Sequence, residues 1–370
     1  MDFHLTDEQR EVAELAGRIF TDRLTQDVRK QLERGDDRFD DVLWRELATA
    51  GILGVAVADD VGGAGQGLLE LCALLAAAGA AAAPVPLWAV TTAALAVDRF
   101  GAPAQRALLR DVVAGKTMIT AALTEPAQLD ARTLATTARR DGDGWRLDGV
   151  KTCVPAAHRA ARVIVPARQV DDGVVRLFVV DPAAAGVAIE RQVATTGEVQ
   201  GLVTLTGVAV AATDELGPPG DGAATLAWLL DRAAIGLCAM EVGLCEQVLR
   251  MTAQYTSQRT QFERPIATFQ AVAQRAADAY IDVEAMRLTL WEAAWRLAEG
   301  LPAARELAIA KIFAADGGQR VTYAAQHLHG GIGFDLDYPL ARYYPLAKQL
   351  ELTLGGAGAN VAQLGALLAE

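Results

Sequence analysis

The sequence predicts an α+β protein in which two helical parts flank a β-rich middle. Three observations carry the prediction. Apolar residues recur at helical spacing from Val12 to about residue 114. From about Thr117 the pattern shortens to strand-like runs, and after Pro218-Pro219-Gly220 helical spacing returns to the end of the chain. The expected division is an N-terminal helical domain over 1–116, a middle β-barrel or sandwich over 117–215, and a C-terminal four-helix bundle over 216–370.

Thr6-Asp7-Glu8-Gln9 has the form of a capping box, in which Thr and Gln satisfy each other's backbone donors. Val12, Leu15, Ala16, Ile19, Phe20 and Leu24 then form an apolar stripe. A second helix holds Val42, Leu43, Trp44 and Leu47 and stops near Gly51. Val61-Gly62-Gly63-Ala64-Gly65 is a flexible loop that lacks the spacing of a phosphate loop. Residues 68–83 and 103–114 give further helices. In the middle, Met118 to Leu123, Trp145 to Leu147, Arg162 to Val165, Val174 to Val180, Val187 to Ile189 and Leu202 to Val210 read as short strands. Asp141-Gly142-Asp143-Gly144 and Asp171-Asp172-Gly173 separate them as turns. Helical segments near 222–258, 268–299, 302–325 and 338–350 complete an antiparallel bundle.

The chain has 370 residues, 52% of them hydrophobic and 22% charged, which suits an ordered globular protein with a large core. A net charge of -12 disfavours nucleic acid and anionic membrane as partners. It leaves room for an anionic ligand held by a local arginine cluster. Cys72, Cys153, Cys238 and Cys245 show no CxxC spacing. Cys238 and Cys245 share one helix face and read as core, and no metal site is expected. The acidic, polar start is no signal peptide. No uninterrupted apolar run approaches the roughly 18 residues of a membrane span, so a cytoplasmic protein is expected.

The densest stretch runs from Tyr255 to Arg275. It reads as the end of one long helix, a tight connection at Pro265, and a new helix capped by Thr268. Phe269, Val272, Ala276, Tyr280 and Val283 supply that helix's apolar face. Arg259, Gln261, Phe262, Arg264 and Gln270 crowd the connection. On spacing alone, a ligand site and a well-capped hairpin stand as equal readings.

Arg-x-Gln-Phe-x-Arg-Pro-Ile-x-x-Phe-Gln-Ala-Val, from Arg259 to Val272, resembles the signature of acyl-CoA dehydrogenases, which are FAD enzymes. His327-Leu328-His329-Gly330-Gly331-Ile332-Gly333-Phe334, followed by Tyr338-Pro339-Leu340, resembles a second motif of that family. The resemblance covers essentially the whole chain. It implies that Arg259, Gln261, Phe262 and Gln270 contact the flavin dinucleotide across a dimer interface. His327, which stands where the family usually has Gln and reads equally as a core-facing or capping histidine, would with Gly330 and Gly331 receive its phosphate and adenosine end, and Thr124 of Thr124-Glu125-Pro126 its ring.

The family removes two hydrogens across the α,β bond of an acyl-CoA thioester and passes electrons to an electron-transfer flavoprotein. The α C–H is a weak acid, so a carboxylate of raised pKa must touch it. Here the sequence departs from the family. Leu354, in Thr353-Leu354-Gly355-Gly356, stands at one family base position, and Ala233 stands at the other. The nearby acids are Asp231, Glu241 and Glu246. Asp231 beside Arg232 reads as a local solvated pair. Glu241 lies in apolar surroundings about two helical turns beyond Ala233, so it is the candidate base, with a carboxylate on the helix surface or paired inside the bundle as the bland alternative.

The middle part departs too: Ala127-Gln128-Leu129-Asp130 and Cys153-Val154-Pro155 replace motifs that normally touch flavin and thioester. Intact dinucleotide contacts beside a lost base resemble the base-poor subunit of heteromeric α2β2 acyl-CoA dehydrogenases of steroid catabolism, in which a homologous partner supplies the base. Two other readings stand beside it: a self-sufficient homotetramer using Glu241, and a non-catalytic scaffold subunit. Trp44, Trp88, Trp228, Trp291 and Trp295 read as packing residues.

Overall fold

The computed structural model describes residues 5–128 and 130–369. Helices α1 (Asp7–Arg23), α2 (Gln26–Arg34), α3 (Asp41–Thr49), α4 (Leu68–Ala80), α5 (Leu87–Phe100), α6 (Pro103–Arg106) and α7 (Leu109–Val113) come first. Strands β1 (Ile119–Ala121), β2 (Thr137–Asp141), β3 (Gly144–Pro155), β4 (Arg162–Gln169), β5 (Val175–Val180), β6 (Val187–Val193) and β7 (Val199–Val210) follow. Helix α8 (Gly222–Gln258) leads to a small ladder of β8 (Thr260–Gln261) and β9 (Arg264–Pro265). The chain closes with α9 (Gln270–Ala298), α10 (Ala304–His329), α11 (Tyr343–Leu352) and α12 (Ala357–Ala369). It folds as two compact units. One takes in the chain to Lys30, Leu68–Ala83 and the chain from Ala234; the other takes in Gln31–Gly67 and Pro84–Ala233.

The second unit is built on a seven-stranded sheet of order β1-β4-β2-β3-β7-β6, with β5 paired to β4. Alternation along β3 and β7 buries Trp145, Leu147, Val154, Val203 and Leu205 with Val163, Val165 and Phe178 in one core. Period-two side chains on a half-buried sheet produce that pattern. The Asp141–Gly144 turn joins β2 to β3 as expected, with Gly142 at φ 57. Strand β2 itself was not expected. Its Thr-Ala-Arg-Arg-Asp sequence has no apolar run, and its place comes from pairing with β3 on one side and β4 on the other.

The first unit is helical. The Thr6–Gln9 capping box forms, with both reciprocal bonds present. Helices α4 and α8 come so close that a Cβ on Gly79 would stand 2.0 Å from the Met240 carbonyl oxygen, and one on Gly243 1.9 Å from that of Ala76. The glycines are therefore required by backbone approach. Two expectations need correction. Thr268 does not cap α9: its hydroxyl donates to the Pro265 carbonyl at 2.7 Å, and Phe269 holds the cap position. Tyr280 is 56% exposed, because the buried face of α9 runs through Ala279, Val283 and Met286 instead. Helix α12, beyond the expected four, packs on α10.

By length and composition alone, Gly222–Gln258 and Pro339–Ala369 are apolar enough to cross a membrane, although charged residues interrupt both apolar runs. In α8 more than half of the apolar window is buried within the protein, as in a core helix. The second stretch is not one helix, since the turn at 353–356 separates α11 from α12.

Candidate functional site

Beyond α8 the chain reverses through the β8–β9 hairpin, with Gln261 opposite Arg264 and the Ile266 N–H donating to the Arg259 carbonyl at 2.8 Å. Phe262 (φ 52) and Glu263 (φ 63) are both left-handed, the pattern of a type I′ turn that ordinarily takes Asn-Gly. Each non-glycine residue there costs on the order of 1–2 kcal/mol. Strain of that kind persists where a site uses it. Phe262 is 86% exposed and meets Phe269 edge-on at 6.1 Å, while the Arg264 guanidinium stacks over Phe269 at 4.3 Å. Arg259, Gln261 and Gln270 are exposed around it.

Two contacts join this stretch to the second glycine-rich motif. Tyr255, near the end of α8, stacks on His329 of α10 at 4.4 Å. Arg275 of α9 lies 3.2 Å from Nδ1 of His327. Arginine only donates, so that nitrogen accepts and the His327 proton sits on Nε2. His329 is buried, and its Nδ1 donates to the Ala325 carbonyl at 2.8 Å. Burial holds its pKa below the usual imidazole range. The exposed Gly330 and Gly331 offer bare backbone, and a Cβ on either would meet no atom within 4 Å. Exposed arginines, an exposed aromatic ring and an open glycine ledge fit a flat, anionic ligand such as a flavin dinucleotide.

Thr124 belongs to the other unit. Its carbonyl accepts the Thr152 N–H at 2.9 Å. Beside it, Glu125 and Lys151 form a buried ion pair at 2.6 Å. Glu125 also accepts the Ala135 N–H at 2.6 Å and the Thr136 N–H at 3.2 Å. Burial pushes the Glu125 carboxyl up, but the ammonium and these donors outweigh it and hold it below the usual range. Burial pulls Lys151 down to about 8. Leu129, in the replaced motif, lies outside the described residues.

Glu241 sits on α8 facing α10 and is 1% exposed. A Cβ on Gly318 would stand 2.0 Å from its Oε1, so only glycine lets the carboxyl lie against α10. Oε1 accepts from the Cys245 thiol at 3.8 Å, and among the described residues the buried Oε2 has no partner. Desolvation holds the group well above the usual carboxylate range, with Lys311 offsetting only part of it. Lys311 turns instead to the end of α11, donating to the carbonyls of Leu350 at 2.7 Å and Glu351 at 3.2 Å.

Models of the N-terminal, middle and C-terminal domains of acyl-CoA dehydrogenases match residues 6–116, 120–204 and 220–365. The chain belongs to the acyl-CoA dehydrogenase family. Acyl-CoA dehydrogenase FadE27 of Mycobacterium tuberculosis is 39% identical over 100% of this chain and 99% of that protein. Among solved structures, the ChsE4–ChsE5 complex of the same organism superposes with a TM-score of 0.94 at 38% identity, covering 100% of this chain and 99% of that one. A variant of the steroid ACAD Tcur3481–Tcur3483 gives 0.92 at 44% identity and 98% coverage of both chains.

At the two positions that the sequence resemblance marks for the family's base stand Ala233 and Leu354, neither of which can take a proton. Ala233 is fully buried, and the Trp88 indole N–H donates to its carbonyl at 2.9 Å. Leu354 keeps a left-handed backbone (φ 58), and Asn360 braces the turn by donating to the Gly355 and Gly356 carbonyls. Sequence reasoning missed Gly318, Lys311 and the role of Lys151. A lysine inside the alanine-rich run Leu307 to Ala315 was the available signal for Lys311. Asp231 feels the charge of Arg232, but its ion pair among the described residues is with Arg132 at 3.9 Å, while Arg232 stacks over Trp228 at 4.2 Å.

Proposed function

We propose that this chain is one subunit of a mixed α2β2 acyl-CoA dehydrogenase that desaturates a bulky, steroid side-chain type acyl-CoA thioester in the cytoplasm. The observation that carries the proposal is the pairing of a kept dinucleotide-facing surface with apolar residues at both base positions. Arg259, Gln261, Phe262 and Gln270 would hold FAD, with His327, Gly330 and Gly331 at its phosphate and adenosine end and Thr124 near its ring. Bound there, the flavin supplies the hydride acceptor for the β hydrogen. A carboxylate of the homologous partner removes the α proton, and backbone donors hold the thioester oxygen as charge builds on it. An electron-transfer flavoprotein then accepts the electrons.

The steroid and heteromeric descriptions of the Tcur3481–Tcur3483 and ChsE4–ChsE5 proteins support this choice over a homotetramer. Glu241 as base is the second reading, favoured by its raised pKa. Its enclosure against Gly318 and Cys245 favours a structural role, because a base must touch its substrate. A pure scaffold has no use for a strained hairpin that exposes Arg259, Gln261 and Phe262. In the co-expressed complex, Arg259→Ala is expected to lower flavin occupancy at least about tenfold, the loss of one charge-assisted contact to a phosphate-bearing ligand. Flavin content equal to wild type, measured by absorbance after gel filtration, would count against the assigned surface.

A further inference from the structure

Strand β3 changes register against β7 twice, between Leu147 and Gly149 and between Lys151 and Val154. Bulges re-aim side chains, and they concentrate beside active sites. Here the segment between them turns Lys151 fully inward and leaves Cys153 exposed, at φ 52. Gln192 steadies this edge, its Oε1 accepting the Cys153 N–H at 2.9 Å. Gly149 makes room for the other side, since a Cβ there would stand 2.5 Å from the Thr136 hydroxyl. The chain leaves the sheet after Thr124 and returns at Ala135 and Thr136, so both ends of this excursion meet at Glu125. Glu125 takes the N–H of both return residues and the ammonium of β3 at once.

We infer that the Glu125–Lys151 pair is a positioning device that ties this excursion to β3 and so fixes the ledge formed by Thr124, Thr152 and Cys153. Its functional consequence rests on the flavin ring meeting that ledge, as proposed above; its structural consequence does not. Lys151 touches no solvent, so it acts through Thr124 and Cys153 and is a positioning residue rather than a catalytic one. The ion pair does more than fill the core. A methionine of similar length would fill the same space, but it would break the link from Glu125 to Lys151 of β3 and leave the carboxylate with only its N–H donors.

Cys153 is a built-in reporter, because Cys72, Cys238 and Cys245 are buried. The test uses the full chain and a disulfide-exchange reagent on the native protein. Lys151→Met is expected to change the rate of the exposed thiol by roughly tenfold, as the ledge opens locally. Glu125→Gln/Lys151→Met keeps an oxygen for the Thr136 N–H and removes the buried charges. Its melting temperature should return close to wild type while the thiol rate stays altered. If Lys151→Met fails to fold, this double variant carries the test. In the flavin-bearing mixed complex, the double variant should lower kcat with KM nearly unchanged and shift the flavin absorption bands.

A double variant that regains stability together with the wild-type thiol rate and flavin spectrum would reduce the pair to core packing and overturn the inference. A wild-type mixed complex without flavin would defeat the proposed function instead, and would leave the thiol result standing.

Discussion

Glu125 in the β-rich unit and Glu241 in the helical unit are buried almost equally, at 4% and 1% exposure, yet their pKa values move in opposite directions. Glu125 has an ammonium at 2.6 Å and two backbone N–H donors, so its charge is met. Glu241 shares its helical unit with a buried lysine as well, but Lys311 directs its donors to the end of α11. Among the described residues one oxygen of Glu241 is left without a partner, and desolvation holds the group well above the usual carboxylate range. Burial alone therefore decides nothing. What matters is whether the nearest cation is free to turn toward the acid. A raised carboxyl pKa, often taken as the mark of a general base, here also follows from a lysine engaged elsewhere.

The comparison breaks most readily at Lys151. Lys151→Met leaves an uncompensated buried carboxylate, and about 3–5 kcal/mol of stability should be lost in urea unfolding. An unchanged midpoint would mean that the pair carries no charge.

Glu241→Gln probes the opposite case through pH. Its folded pKa lies above the unfolded value, so the wild type's stability is fully present below about pH 4.5 and declines as pH rises toward the folded pKa. The glutamine variant lacks that decline. Its advantage over wild type should grow by about 1.4 kcal/mol per pH unit above about 4.5. Glu125 has the reverse sign: its contribution is present above about pH 4.5 and is lost as pH falls through the lowered folded value. Equal pH slopes for the two sites would erase the contrast.

Gly318→Ala should cost on the order of 1–2 kcal/mol, since its methyl group must displace the Glu241 carboxyl. Most of that cost should vanish in a Glu241→Ala background. A double-mutant cycle with no coupling would mean that α10 yields in some other way.

Much of the fold was legible because its signals are local. The bounds of α8, the helical hairpin and most strands follow from period and turn residues. Strand β2 was not legible, since Thr137–Asp141 is held by partners on both sides and not by its own apolar pattern. The Thr268 cap failed because one hydroxyl can serve either a helix start or the preceding turn, and the Pro265 carbonyl won. At the site, Arg259, Gln261 and Phe262 were visible as an unusual cluster, but the left-handed strain at Phe262 and Glu263 was not. The burial of Glu241 was readable from its apolar neighbours. Its closure by Gly318 depends on a residue far along the chain, on a helix whose rotation no single sequence reports.

The central claim is that this acyl-CoA dehydrogenase chain holds half of a flavin site and lacks its own base. The most direct test is the visible absorbance of the purified chain, alone and co-expressed with a homologous family member. The account predicts a colourless lone chain and a yellow mixed complex. That complex should bleach on addition of a steroid side-chain acyl-CoA, and should do so equally with Glu241→Gln. Stoichiometric flavin on the lone chain, bleached by acyl-CoA and silenced by Glu241→Gln, would contradict it and make Glu241 the base.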